Sequence, residues 1–238
     1  MKITKREIIA SVAIVATLLT VGFIIGDKIQ DRQNDKNAEY QKAVHIENSE
    51  LFQYGMDTDI GNAFVYGDLK AIDTVTFDEI GGEYLYVEKI EEHYNRHTRT
   101  VTKKDANGGT HTETEVYYSW DYYDSWEKHS NKISFCDIKF DYNKIDIPSS
   151  QYITTIQTWL NVRYKYYGVS TINTGTIYTS LHNGTIRDNS KFFEDCNIDK
   201  ALKNCTSNMI IVIFWCIWVV FIGVVVYIFY YLDNKWLE

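Results

Sequence analysis

Two uncharged apolar runs, one near each end, constrain this chain more than any other feature. Residues 8–25, IIASVAIVATLLTVGFII, and residues 209–232, MIIVIFWCIWVVFIGVVVYIFYYL, contain no Asp, Glu, Lys or Arg. As helices they rise ~27 Å and ~36 Å, against a bilayer hydrocarbon core of ~30 Å. Both are expected to cross a membrane, the second with some tilt. Lys2, Lys5 and Arg6 precede the first run, as before a signal peptide or a signal anchor. The residues ahead of Asp27 lack a small-x-small cleavage pattern, which favours an uncleaved anchor over a removed signal peptide. Tyr227, Tyr230, Tyr231 and Trp236 gather at one end of the second run, as an interfacial aromatic belt does.

Two spans put both termini on one side. The excess of Lys and Arg before the first span makes that side cytoplasmic, although Lys28, Arg32 and Lys36 after it narrow the bias. The expected organisation is a cytoplasmic N-terminus (1–7), a first transmembrane helix acting as signal anchor (8–25) and a stalk (26–45). An extracytoplasmic β-rich domain (46–208), a second transmembrane helix (209–232) and a cytoplasmic C-terminus (233–238) complete an integral protein of the cell membrane. Neighbours four apart, such as Lys28 with Arg32 and Asp31 with Asp35, predict that the stalk continues the first helix; a solvated flexible linker is the alternative. The net charge of −8 argues against attraction to nucleic acid, which leaves the lipid bilayer and a protein partner or a homo-oligomer as expected partners.

The middle reads as mostly β, an α+β domain of barrel-like character. AFVYGDLKAIDTVTF (63–77) suggests one bent strand or two short ones, and Gly81-Gly82 a turn. Residues 84–102 then alternate. Even positions carry Tyr84, Tyr86, Ile90 and Tyr94, while odd ones carry Lys89, Glu91, His93, Asn95, His97 and Arg99. The return arm carries Val116, Tyr118, Trp120 and Tyr122 at even positions. A long β-hairpin turning at Asn107, Gly108 and Gly109 joins them. An odd loop of three or five residues with a glycine bulge puts both aromatic rows on one face, whereas a two-residue loop splits them. The expected partners are Tyr94 with Tyr122, Arg96 with Trp120 and Thr98 with Tyr118. The face formed by Tyr94, Tyr118, Trp120 and Tyr122 is expected to pack inward, with a ligand platform as the alternative.

Beyond it, ISFCDIKFDY (133–142) alternates as a strand with Cys136 on its apolar side. Tyr152, Ile153, Ile156, Trp159 and Leu160 suggest an amphipathic helix capped by Ser149 or Ser150. VRYKYYG returns to alternation, and TGTIYTSLHNGTI reads as a strand ending in an Asn183-Gly184 turn.

Chemistry is sparse. His93 and His97 share a face but lie ~13 Å apart on a strand, too far to chelate one ion. DTDIGN (57–62) lacks the later bidentate Glu of a calcium loop and is expected to be a turn. There is no G-x-S-x-G, H-E-x-x-H, phosphate-binding loop or Cys-x-x-Cys, so neither an enzyme nor a cofactor is expected. Cys196 and Cys205 lie near the second span, where an oxidising exterior could pair them; a straight helix between them would hold them ~13 Å apart, so pairing requires a bend.

The stretches FVYGDLKAID, EYLYVEKIEEHY, THTETEVYYSWDYYDSWE, ISFCDIKFDYNKI and FYYLDNKWLE resemble a family of uncharacterised two-pass membrane proteins of low-GC Gram-positive bacteria and their phages or prophages. The similarity covers nearly the whole chain and brings no activity with it. Residues 61–141 are also similar to the lumenal domains of LUMA-type membrane proteins, which implies a small β-barrel beside a membrane. The leading expectation is a non-enzymatic two-pass protein whose exported domain mediates protein interaction or self-assembly at the cell envelope. The alternatives are a two-span channel or pore subunit, and a phage envelope protein affecting superinfection.

Overall fold

The structure is a computed structural model that describes residues 5–104 and 109–236. In chain order its elements are α1 (Lys5–Lys42), β1 (Val44–Ile46), α2 (Ser49–Asp57), β2 (Gly61–Ala71), β3 (Tyr86–Lys104), β4 (Thr110–His129), β5 (Lys132–Phe135) and β6 (Ile138–Asp141). A 3-10 turn (Tyr142–Lys144) precedes β7 (Ile145–Asp146), β8 (Gln151–Trp159), β9 (Val162–Val169), β10 (Ile172–His182), β11 (Thr185–Ile186), β12 (Ser190–Glu194), α3 (Ile198–Cys205) and α4 (Met209–Trp236). Two long apolar helices at the ends thus flank a β-rich middle. They form two units: the terminal segments up to Ala43 and from Asp199, and the middle from Val44 to Ile198.

In the helical unit α1 and α4 run antiparallel. Arg6 reaches the Asp233 carboxylate at 3.0 Å, Tyr230 donates to the Ser11 hydroxyl at 3.1 Å, and Trp218 Nε1 donates to the Leu18 carbonyl at 3.1 Å. The seam on α1 is made of Glu7, Ser11, Gly22 and Gly26, all buried. Gly22-Phe23-Ile24-Ile25-Gly26 is a small-xxx-small pattern, which lets a neighbouring helix approach closely. Here the notch is filled by large rings: Trp218 lies against Gly22, and Phe214 and Trp215 against Gly26. Elsewhere the apolar surface stays open, with only 11% of the first apolar window and 6% of the second buried. A core helix of a soluble protein buries most of such a window. Both helices are long and apolar enough to cross a membrane. α1 is unbroken to Lys42, so the polar residues after Asp27 continue the helix as their spacing predicted.

In the middle unit, eight strands form a curled half-barrel of order β6-β5-β2-β10-β12-β7, with β1 added to β2 and β11 to β10. β2 and β10 are its spine, antiparallel over Gly61–Lys70 and Ile172–Leu181. The concave side holds Val65, Leu69, Ile133, Phe135, Ile177 and Leu181, closed by Phe52 and Met56 of α2. Asn48 caps α2 by accepting from the Leu51 N–H at 2.8 Å. Asp73 ties two segments together, its carboxylate accepting from the Asn131 and Lys132 backbone N–H groups at 2.7 and 2.8 Å.

Three sequence expectations are corrected. The stretch after Pro148 is a strand, β8, not a helix. Register shifts at Tyr152/Thr154 and Gln157/Trp159 insert an extra residue each, which breaks the period of two and imitates helical spacing. Residues 133–142 are two short strands, not one. Cys136 and Asp137, with φ of 49° and 62°, form the two-residue turn between β5 and β6, so Cys136 sits in a turn. Of residues 63–77 only those up to Ala71 form a strand, β2, which pairs without a break with β10 through Gly67. A Cβ there would collide with the Cys136 sulfur, so the position needs glycine for close approach. The Asn183-Gly184 turn is present as expected, with φ of 53° and 67°.

Candidate interaction surface

The second sheet, four strands in the order β4-β3-β9-β8, carries the aromatic hairpin. β-branched and aromatic residues fill both arms, and Thr100 faces Thr114, and Thr102 faces Thr112, across the pair. Pairing runs from Tyr86↔His129 to Lys104↔Thr110, which leaves a five-residue connection at 105–109 and the odd parity expected. The turn residues Asn107 and Gly108 lie outside the described residues, while Gly109 lies just before β4. The register differs by two from the expected one: Tyr94 faces Trp120, Arg96 faces Tyr118 and Thr98 faces Val116. A bulge between Glu91 and Glu92, with Tyr123 as the extra residue on β4, then reverses parity toward the base of the hairpin.

One face holds the row singled out from sequence. Tyr94 stacks on Tyr118 with centroids 5.5 Å apart and tilts against Trp120 at 5.2 Å. These rings do not pack inward. Tyr94 is 43% exposed, Tyr118 55% and Tyr122 64%, and only Trp120 is half-buried, under the Arg163 guanidinium at 4.3 Å. Beside them Glu92 accepts from Arg163 Nε at 2.6 Å and Lys165 Nζ at 2.9 Å. Partial burial opposes ionisation of Glu92, but the bonds from Lys165 and Arg163 prevail and hold its carboxyl below the usual carboxylate range. The reason for the correction is visible in the row itself. Glu88, Glu92 and Arg96 interleave with its apolar residues, and charges on both faces of β3 leave neither face fit for a dry core.

The other face pairs histidines with acids. His93 stacks on Tyr123 at 4.2 Å and bonds Glu91 at 2.6 Å; His97 stacks on Tyr117 at 5.1 Å and bonds Asp121 at 2.7 Å. Asp121 also accepts from Asn95 and Ser119, and these bonds, with that from His97, depress its pKa. Each imidazole thus has its own carboxylate, and no cluster of three metal-ligating side chains occurs among the described residues. Near the base, Lys89 lies over Tyr164 at 4.4 Å and Phe77 at 5.7 Å and bonds Glu79 at 2.5 Å. Burial alone would lower its pKa; the bond to Glu79 and the neighbouring Tyr166 hold it above the ordinary value.

Past His93 the third strand ends. β9 pairs with β3 only from Tyr86 to His93, so residues 95–104 and 110–119 form a two-stranded ribbon. None of its side chains belongs to the core cluster. An isolated two-stranded ribbon is marginal in water, and this one is held by β-propensity and by ion pairs such as Arg99–Glu115 and Lys103–Glu113, both 2.7 Å.

Of the other residues marked from sequence, Tyr227 and Tyr231 are exposed on α4, while Tyr230 is turned into the seam with α1. Trp236 ends α4. Cys196 and Cys205 are not joined by a disulfide; Cys196 is buried beside Thr176, whose hydroxyl donates to its carbonyl at 2.7 Å, and Cys205 ends α3. Sequence reasoning missed Arg163 and Lys165 as partners of the hairpin. The signal was there in VRYKYYG, where cations alternate with rings as they do along β3. No protein-family model, curated protein or solved structure matches the chain.

Proposed function

We propose that this chain is a non-enzymatic, two-pass integral membrane protein whose β-rich domain is exported and mediates protein association at the cell envelope. Its termini stay in the cytoplasm. The observation that carries the association reading is the outer hairpin: its ribbon adds nothing to the core yet displays Tyr117 and Tyr118 to solvent, and Tyr94, Tyr122 and Tyr123 stand exposed at the ribbon's foot. Exposed aromatic patches rimmed by charge are what protein interfaces are made from. The two candidate membrane helices fit the rest. Their polar side chains are spent locally: Thr17 and Thr20 bond the carbonyls of Ala13 and Ala16, and Ser11 accepts from Tyr230. These three hydroxyls are thereby withdrawn from lining a water-filled lumen.

The test is site-specific photocrosslinking in intact cells. A benzophenone side chain at Tyr118 or Tyr122 is expected to give a discrete higher-mass adduct, and one at Lys139 on the half-barrel to give none. A chain that stays monomeric at every ribbon position, in cells and in mild detergent, would remove the basis of the proposal.

A further inference from the structure

The two open edges of the ribbon carry opposite charge. Along β3 from Asn95 to Lys104 stand Arg96, Arg99, Lys103 and Lys104, with His97 and no acid. Along β4 from Thr110 to Asp121 stand Glu113, Glu115 and Asp121, with His111 and no Lys or Arg. Beyond Tyr94, whose N–H still meets the Asn161 carbonyl, the outer side of β3 has no strand among the described residues. β4 is the outermost strand of its sheet over its whole length. Each edge therefore presents alternate N–H and C=O groups ready to pair.

Charge on an open edge ordinarily keeps strands apart. Segregation by sign changes that result. β4 against another β4 sets acids opposite acids, and β3 against another β3 sets bases opposite bases; like charges opposed across strands destabilise. β3 against the β4 of another copy sets bases opposite acids. That is the antiparallel arrangement by which the hairpin already joins its own arms through Arg99–Glu115 and Lys103–Glu113. These four residues are all at odd positions, so a register that opposes odd to odd keeps these four charges on one continuous face.

We infer that the ribbon is a self-assembly device, the Asn95–Lys104 edge of one copy adding to the Thr110–Asp121 edge of the next. The inference rests on the association reading above and specifies its partner as a second copy of this chain. The contact is heterologous, so it closes into a ring where the rotation allows and otherwise propagates as a row. Confinement to one membrane raises the effective concentration of the edges, so each contact need not be tight.

Two full-length copies carrying different tags are co-expressed, their membranes are treated with a zero-length carbodiimide, and crosslinked species bearing both tags are read on a gel. The native chain is expected to give a ladder that fades at 1 M salt, where the screening length falls to ~3 Å. Arg99→Glu with Lys103→Glu is expected to abolish the ladder, as is Glu113→Lys with Glu115→Lys. Co-expressing these two variants, or combining all four changes in one chain, restores it. Co-expression separates failed assembly from a misfolded ribbon, because the pairs within each hairpin stay like-charged there and only those between copies are restored. A ladder unaffected by either double variant, or no ladder at all, overturns the inference. If the ladder is absent while the Tyr118 photoprobe captures a different protein, self-assembly falls and the association reading stands. If both are absent, both fall.

Discussion

Two glycines show how much a single missing Cβ decides. At Gly22 any side chain would enter the indole of Trp218. Gly22→Leu is expected to destabilise the α1–α4 pair by about 1–3 kcal/mol through overpacking, read as a lower thermal midpoint in detergent. At Gly67 the obstruction is the Cys136 sulfur, which also donates weakly to the Tyr66 carbonyl at 3.3 Å. Gly67→Ala is expected to cost a similar amount, about 1–3 kcal/mol, and Cys136→Gly in the same chain to recover most of it. A double-mutant cycle of the two checks this, and additive losses would show that the contact is not the cause. Burial pushes the Cys136 thiol up to about 11, helped by the nearby Asp137 and Asp68 carboxylates. Its alkylation in the folded protein should therefore stay slow through pH 9 and accelerate only toward pH 11. Because the folded value is the higher one, this thiol stabilises nothing extra at neutral pH, and stability declines as pH rises from 9 to 11. Sequence placed Gly67 and Cys136 on strands but could not show that they touch, since they are far apart in the chain and meet only across the β2–β5 pairing.

At the level of elements, β3 is joined to β9 by Glu92 lying between Arg163 and Lys165. Glu92→Ala removes the shared acceptor and leaves two cations side by side, so it is expected to cost about 1–3 kcal/mol, measured by denaturant unfolding. The Glu92 carboxyl is held low in the folded state, so its contribution is present above the ordinary carboxylate pKa and is lost as pH falls through the depressed value. Glu92→Gln should accordingly flatten the acid limb of the stability curve. The ribbon makes the opposite prediction. Joining Asn95 to Ser119 through an Asn-Gly turn should leave the thermal midpoint of the half-barrel nearly unchanged while removing the photocrosslinked adducts. The hairpin, its loop parity and the Asn183-Gly184 turn were legible because they depend on local alternation and on residues that tolerate positive φ. The register was not, because alternation fixes only its parity: a shift of two residues, set by where the arms close at Lys104 and Thr110, leaves every side chain on the same face. β8 was misread as a helix because its two bulges shift the alternation that would have identified it.

Across the whole molecule, the apolar runs carried the strongest signal, since length and absence of charge alone identify helices able to cross a bilayer. Their mode of pairing was hidden. Ser11, Gly22 and Gly26 are small or weakly polar, and the rings that fill the notch lie some 200 positions away at Phe214, Trp215 and Trp218. The antiparallel pairing brings Arg6 and Asp233 to the same end, consistent with two crossings and co-localised termini. The most direct measurement of the account is labelling of single cysteines in intact cells with a membrane-impermeant maleimide, in a chain whose native cysteines are replaced. A cysteine at Thr112 on the ribbon should label in whole cells, and one added after Glu238 should label only once the membrane is opened. Labelling of the C-terminal cysteine in intact cells with Thr112→Cys protected, or of both alike, would contradict the account.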